Sequence, residues 1–188
     1  MRAYTRSILV AAMAIVGCGA PPLPKPHGYF RIDLPQQAYM PWADSTTFSA
    51  EIPVYGKVAQ RATNDDARWF DLRFPDQRAT MHLTWSPVHG ELQNLIEDAH
   101  KFKSTHQAKA AKIKTERTLN DSTRVFGSVF EVEGDVASPF VFYLTDSTDN
   151  FLYGALYFDA RPNSDSLAPV TERLRADMRH LIATLRWK

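Results

Sequence analysis

Phe140-Val141-Phe142-Tyr143-Leu144-Thr145-Asp146-Ser147-Thr148-Asp149-Asn150-Phe151-Leu152-Tyr153-Gly154-Ala155-Leu156-Tyr157-Phe158 reads as two strands joined by a polar turn. Both arms are rich in aromatic and branched residues, and Asp146–Asn150 is built from turn formers. A connection this short joins antiparallel neighbours, because parallel strands need a long crossover. Side chains alternate between faces along a strand. Phe140, Phe142 and Leu144 therefore share one face, with Val141 and Tyr143 on the other. In the second arm, Phe151, Tyr153, Ala155 and Tyr157 oppose Leu152, Leu156 and Phe158. Both faces are apolar or aromatic. Such a hairpin is either a central element sandwiched between helices, or it presents its tyrosine-bearing face (Tyr143, Tyr153, Tyr157) to a partner or ligand.

The same logic extends outward. Tyr29–Leu34 alternates and stops at Pro35; Phe48, Ala50 and Ile52 alternate and stop at Pro53; Trp69–Phe74 stops at Pro75. Thr80–Trp85 follows the short turn Asp76–Arg78, and Lys112–Leu119 and Arg124–Glu133 flank the turn Asn120–Ser122. Two segments have helical spacing. Leu92, Leu95, Ile96, Ala99 and Phe102 recur at threes and fours, extending to about Ala108. Leu167, Val170, Leu174, Met178, Leu181 and Leu185 do so behind the capping run Asn163–Ser166, with Pro169 placed in the first turn. Arg179, His180 and Arg186 are positioned to complement that helix's dipole. Strands, helix, strands, helix predict a single α+β domain with an antiparallel β-sheet packed with two main helices.

The N-terminus carries a different signal. Arg2 and Arg6 precede an apolar run from Ile8 to Val16, too short to span a bilayer, and Ile15-Val16-Gly17-Cys18 closes it. Cys18 is the sole cysteine. A small residue directly before a lone cysteine at that point is the layout of a lipoprotein signal, in which the thiol is acylated and becomes residue one. The expected organisation is a signal peptide over 1–17, the acylated Cys18 with a proline-rich spacer over 18–26, and a globular domain over 27–188. The spacer holds four prolines between Pro21 and Pro26, a composition that favours an extended chain. Two or three acyl chains hold a protein to a membrane far more firmly than one.

The whole chain carries 22 basic and 21 acidic residues. Loss of Arg2 and Arg6 leaves the mature part near neutrality, which argues against nucleic acid. The lysines between Lys101 and Lys114 read as a solvated face. A search for catalytic patterns is mostly negative. No glycine elbow for a nucleophilic serine and no phosphate loop is present, and no two histidines stand four apart as a zinc helix requires. His100 and His106 lie six apart, off a common helix face. The aspartates at 121 and 146 fall in Asp-Ser turn chemistry rather than a calcium loop. His82, in Met81-His82-Leu83, faces away from its apolar neighbours. No cofactor, metal or catalytic residue is therefore expected.

Phe30-Arg31-Ile32-Asp33-Leu34-Pro35, Leu144-Thr145-Asp146-Ser147, Gly154-Ala155-Leu156-Tyr157-Phe158, Arg161-Pro162-Asn163, Asp165-Ser166-Leu167-Ala168-Pro169-Val170 and Trp187-Lys188 together resemble the gliding-motility lipoprotein family GldD of the Bacteroidetes. The likeness runs from the cysteine signal to the last residue. It implies a cell-envelope lipoprotein needed for gliding and for the coupled type IX secretion machinery, with no known enzymatic activity. It carries over one functional position, the acylated Cys18. Family members often have a cysteine before the tryptophan matching Trp69; here Arg68 stands there, so no thiol role is implied at that point. The element order also resembles the Mog1/PsbP-like sandwich.

Three functions are compatible with these features. The first is a non-enzymatic accessory factor, anchored at Cys18 and facing the periplasm, whose partners are other envelope proteins of the gliding and secretion apparatus. The second is a periplasmic ligand-binding module for a cell-wall fragment or small molecule, using the aromatic hairpin face. The third is a hydrolase that pairs His82 with Asp71 or Asp146, which requires those side chains to reach one another.

Overall fold

The structure is a computed structural model and describes residues 34–62, 66–107 and 110–188. Cys18, the leader, the spacer and nearly all of the strand expected over Tyr29–Leu34 lie outside the described residues. Leu34 itself is irregular chain packed against the main core.

Among the described residues the order is β1 (Tyr39–Ala43), β2 (Phe48–Pro53), β3 (Lys57–Arg61), β4 (Arg68–Phe74), β5 (Ala79–Pro87), α1 (Leu92–Gln107), β6 (Lys112–Asn120), β7 (Val125–Glu133), β8 (Phe140–Thr145), β9 (Asn150–Phe158), α2 (Ser164–Thr184) and β10 (Arg186–Trp187). Seven strands form one sheet in the order β3-β4-β5-β9-β8-β7-β6, and β1-β2-β10 form a second. Every pairing is antiparallel. The fold is thus α+β and sheet-rich. The sequence pattern implies one sheet; the second rests on β1, interrupted by Pro41, and on the two-residue β10, neither of which alternates.

The β8–β9 hairpin holds the centre of the large sheet, and each face is covered separately. On one face Phe140, Phe142, Leu144, Leu152 and Leu156 join β4, β5 and β2 in a core closed by Val170, Leu174, Met178 and Leu181 of α2. On the other, Val141, Tyr143, Phe151 and Ala155 meet Leu92, Leu95, Ile96 and Ala99 of α1. At about 1.5–3 kcal/mol for each fully buried large apolar side chain, both layers are substantial. Lys112 and Lys114 stand exposed on the edge strand β6, where charge discourages pairing with other chains.

α2 begins where its sequence says, with the Asn163 side chain accepting from the Ser166 amide at 3.1 Å. Pro169 falls six residues into this helix, beyond the first turn, and the helix runs through it. One backbone hydrogen bond is forgone there, and the buried apolar stripe on either side offsets the loss. The helix ends at Thr184, so Leu185 is its cap and Arg186 begins β10. Arg186 still turns its guanidinium to the Leu185 carbonyl at 2.7 Å. Arg179 and His180 instead pair with carboxylates, Arg179 with Glu131 at 2.7 Å and His180 with Glu51 at 2.6 Å.

The hairpin turn is organised by Asp146. Its Oδ1 accepts from the amides of Thr148, Asp149 and Asn150, each at 2.9 Å, and its Oδ2 accepts from Asn150 Nδ2 at 2.8 Å. Burial opposes ionisation, yet the hydrogen bonds from Asn150, Thr148 and Asp149 outweigh it and hold the carboxyl down at about 2. The carboxylate is saturated by its own loop, as the turn reading requires. Beside it in β9, Gly154 stands opposite both Leu83 and Phe142. A Cβ there would lie 2.4 Å from the Phe142 ring and 3.1 Å from Leu83.

Two outcomes follow from this packing. Gly154→Ala should lower stability by about 1–3 kcal/mol through overpacking, although alanine otherwise suits a strand better than glycine. An unchanged urea midpoint would refute it. Because Asp146 has a depressed pKa, its contribution is present above about pH 4 and lost as pH falls toward 2. Asp146→Ala should therefore cost about 2 kcal/mol at pH 7, and the gap to wild type should narrow in denaturation curves taken below pH 4.

Candidate functional site

α1 covers one face of the sheet only in part. It packs over β7, β8 and the near side of β9, and between it and β5 a cleft of about 560 Å³ remains open. That volume suits a small organic ligand. The antiparallel register places His82 opposite Ala155, Thr84 opposite Tyr153 and Ser86 opposite Phe151, so alternate residues of two strands point into one space. Phe151 and Ala155, with Ala99 from α1, form a buried floor. Leu95, Tyr153 and Tyr157 are half-buried along the walls, and Asp98 stands exposed at the rim, paired with Lys101 at 3.0 Å. Burial raises the Tyr153 and Tyr157 pKa values, Tyr153 further through the neighbouring Tyr157, so both phenols stay protonated at neutral pH.

His82 and Thr84 also border a second hollow of about 240 Å³, lined by Arg61, Trp69 and Asp71. Its anchor is Asp71, buried in mid-sheet directly across from His82. The His82 Nδ1–H donates to Asp71 Oδ1 at 2.8 Å, since an ionised carboxylate only accepts. In the neutral ring this leaves Nε2 as an acceptor. Arg73 donates to Asp71 Oδ2 at 3.1 Å, and Arg61 stands 3.7 Å from Oδ1 with its guanidinium 5.0 Å from the Trp69 ring centroid. Burial alone would favour the neutral acid; hydrogen bonds from His82 and Arg73, with the charges of His82 and Arg61, lower the Asp71 pKa instead. The His82 ring lies 5.6 Å from that of Tyr157, linking this charged knot to the aromatic cleft.

The three tyrosines singled out by the sequence divide. Tyr153 and Tyr157 line the cleft. Tyr143 lies beneath α1, stacked on Phe151 with ring centroids 5.8 Å apart and with its hydroxyl 3.4 Å from Ser128 Oγ. The structure brings His82 to Asp71, while Asp146 is committed to the hairpin turn at the strand end. Arg61, Trp69 and the α1 wall were not apparent as site residues. The Asp71–His82 pair had a signal in the sequence: two strands with fixed core faces, folded about Asp76–Arg78, place residues 71 and 82 opposite one another. The cleft had none, because it depends on how far α1 reaches across the sheet.

Removing the anchor should be costly. Asp71→Ala leaves Arg73 and His82 without their acceptor, and a loss of about 1.5–3 kcal/mol is expected in equilibrium unfolding at pH 7. A double-mutant cycle with His82→Ala should return a coupling of about 1 kcal/mol. Additive effects of the two changes would contradict the pairing.

The chain matches the family described as gliding motility lipoprotein GldD over residues 19–187, nearly its whole length. No curated protein matches the chain at a significant level. The match takes in every element of the fold, both covering helices and the cleft between α1 and β5, and it begins at the residue after Cys18. The chain belongs to the GldD family of gliding motility lipoproteins, membrane-anchored proteins of the cell envelope.

Proposed function

We propose that this protein is a non-enzymatic accessory factor of the gliding apparatus and the type IX secretion machinery coupled to it. Acyl chains on Cys18 anchor it, the proline-rich spacer sets its distance from the membrane, and the α+β domain faces the periplasm and engages other envelope proteins of the apparatus. The near-complete family match carries this reading. The Asp71 carboxylate is shared among His82, Arg73 and Arg61, an arrangement that ties β3, β4 and β5 together. A second reading, binding of a small ligand, is favoured by one observation, the open cleft beside Tyr153 and Tyr157.

Crosslinking and pull-down of the acylated protein from whole envelopes should enrich other gliding and secretion components, as mass spectrometry would identify. Recovery of the protein without any of them would refute the accessory role. An exported Cys18→Ala form should fail to support full gliding, and normal gliding by that form would remove the anchor from the account.

A further inference from the structure

The cleft and the hollow beside it meet at His82 and Thr84, and their characters differ. The α1 side is walled by Leu95, Ala99, Phe151 and Tyr157. The β4 side carries charge. Asp71 is neutralised at close range by Arg73 at 3.1 Å and by the His82 hydrogen bond at 2.8 Å, whereas Arg61 stands farther off at 3.7 Å. The Arg61 guanidinium pairs with Asp71 at 3.7 Å and lies over Trp69, and its side chain is 47% exposed, so part of its donor fork stays open to a second anion. Asp98, which lines the cleft from α1, is paired with Lys101. An apolar trough therefore leads to a fixed cationic end.

We infer that this groove binds a free single-chain carboxylate of the fatty-acid type, its chain lying between α1 and β5 and its carboxylate on Arg61 at the His82 end. The inference rests on the ligand-binding reading of the cleft and adds the chemical class. Guanidinium and carboxylate match in geometry as well as charge, and a charge-assisted pair at the edge of an apolar site is stronger than one in open water. The Thr84 hydroxyl borders both halves and can donate to the same head group. A single flexible chain fits a trough bounded by one helix and one sheet face.

The test uses the full acylated chain in phosphatidylcholine nanodiscs, with empty discs as the blank, and isothermal titration with octanoate and with octanamide. The two differ in charge but hardly in shape. Octanoate should bind roughly tenfold more tightly, as expected for one charge-assisted contact. Arg61→Gln, at an exposed position outside the core, should abolish that preference by weakening octanoate roughly tenfold. Ser86→Phe, which narrows only the apolar end, should weaken both ligands. Equal binding of the two by the wild type, or a preference that survives Arg61→Gln, overturns the acid class. In that case loss of both ligands in Ser86→Phe would still leave the cleft as a site for neutral apolar molecules. Binding of neither ligand, or octanoate binding untouched by Ser86→Phe, overturns the cleft reading along with the proposal.

Discussion

A hairpin that is apolar on both faces cannot rest on the surface of a protein, and the rest of this molecule follows from covering it twice. Phe140, Phe142, Leu144, Leu152 and Leu156 require one cover; Val141, Tyr143, Phe151 and Ala155 require another. α2 with the small β1-β2-β10 sheet supplies the first, and α1 supplies the second. On the α2 face, Gly154 leaves room for the Phe142 ring against Leu83. Asp146 closes the hairpin by taking three backbone amides and one side-chain amide at the point where the chain reverses.

The two covers are unequal, and the inequality creates the site. Behind α2 the packing is reinforced by polar anchors. Asp177 is fully buried and accepts from Tyr39 at 2.9 Å and also from Tyr55, ties that bind the start of the domain to the helix. Burial and the Asp177 carboxylate push the Tyr39 phenol up to about 12, so it remains a donor at any physiological pH. Among the described residues no second sheet stands beside α1. The helix protects Tyr143 and Phe130 but stops short of β5, and the uncovered strip of β5 and β9 becomes a trough. Next to it, the sheet buries a carboxylate that must be paired, and the partners gathered for Asp71 (His82, Arg73 and Arg61) bring fixed positive charge to the end of an apolar groove.

Much of this was legible in the sequence, for physical reasons that differ by element. β2, β4 and β5 alternate because one side chain in two meets the core, β8 and β9 show as apolar runs around a polar turn because both their faces are covered, and both helices show their stripe because each buries a single face. β1 and β10 were not visible: Pro41 interrupts the one, and the other is two residues long and held by pairing to Ser49 and Phe48 rather than by any pattern of its own. β3 was missed because it is an edge strand with little to bury. Tyr153 and Tyr157 could be marked as candidates from their shared face, but nothing local distinguished them from Tyr143. That separation comes from where α1 lies along the sheet, a tertiary fact. The pairing of Asp71 with His82 stood between these cases, recoverable from hairpin register but not from either strand alone.

The ligand-binding reading, and the inference built on it, turn on the trough between α1 and β5 being a working surface of the domain. Thr84 borders both of its halves and is only half-buried, so Thr84→Trp would fill the groove without entering the core. The decisive measurement is the spreading of gliding cells whose only copy carries that substitution, alongside its level in the envelope and its urea midpoint. The account predicts that gliding is lost while level and stability stay at wild type. Normal gliding by a stable, fully expressed Thr84→Trp protein would contradict it.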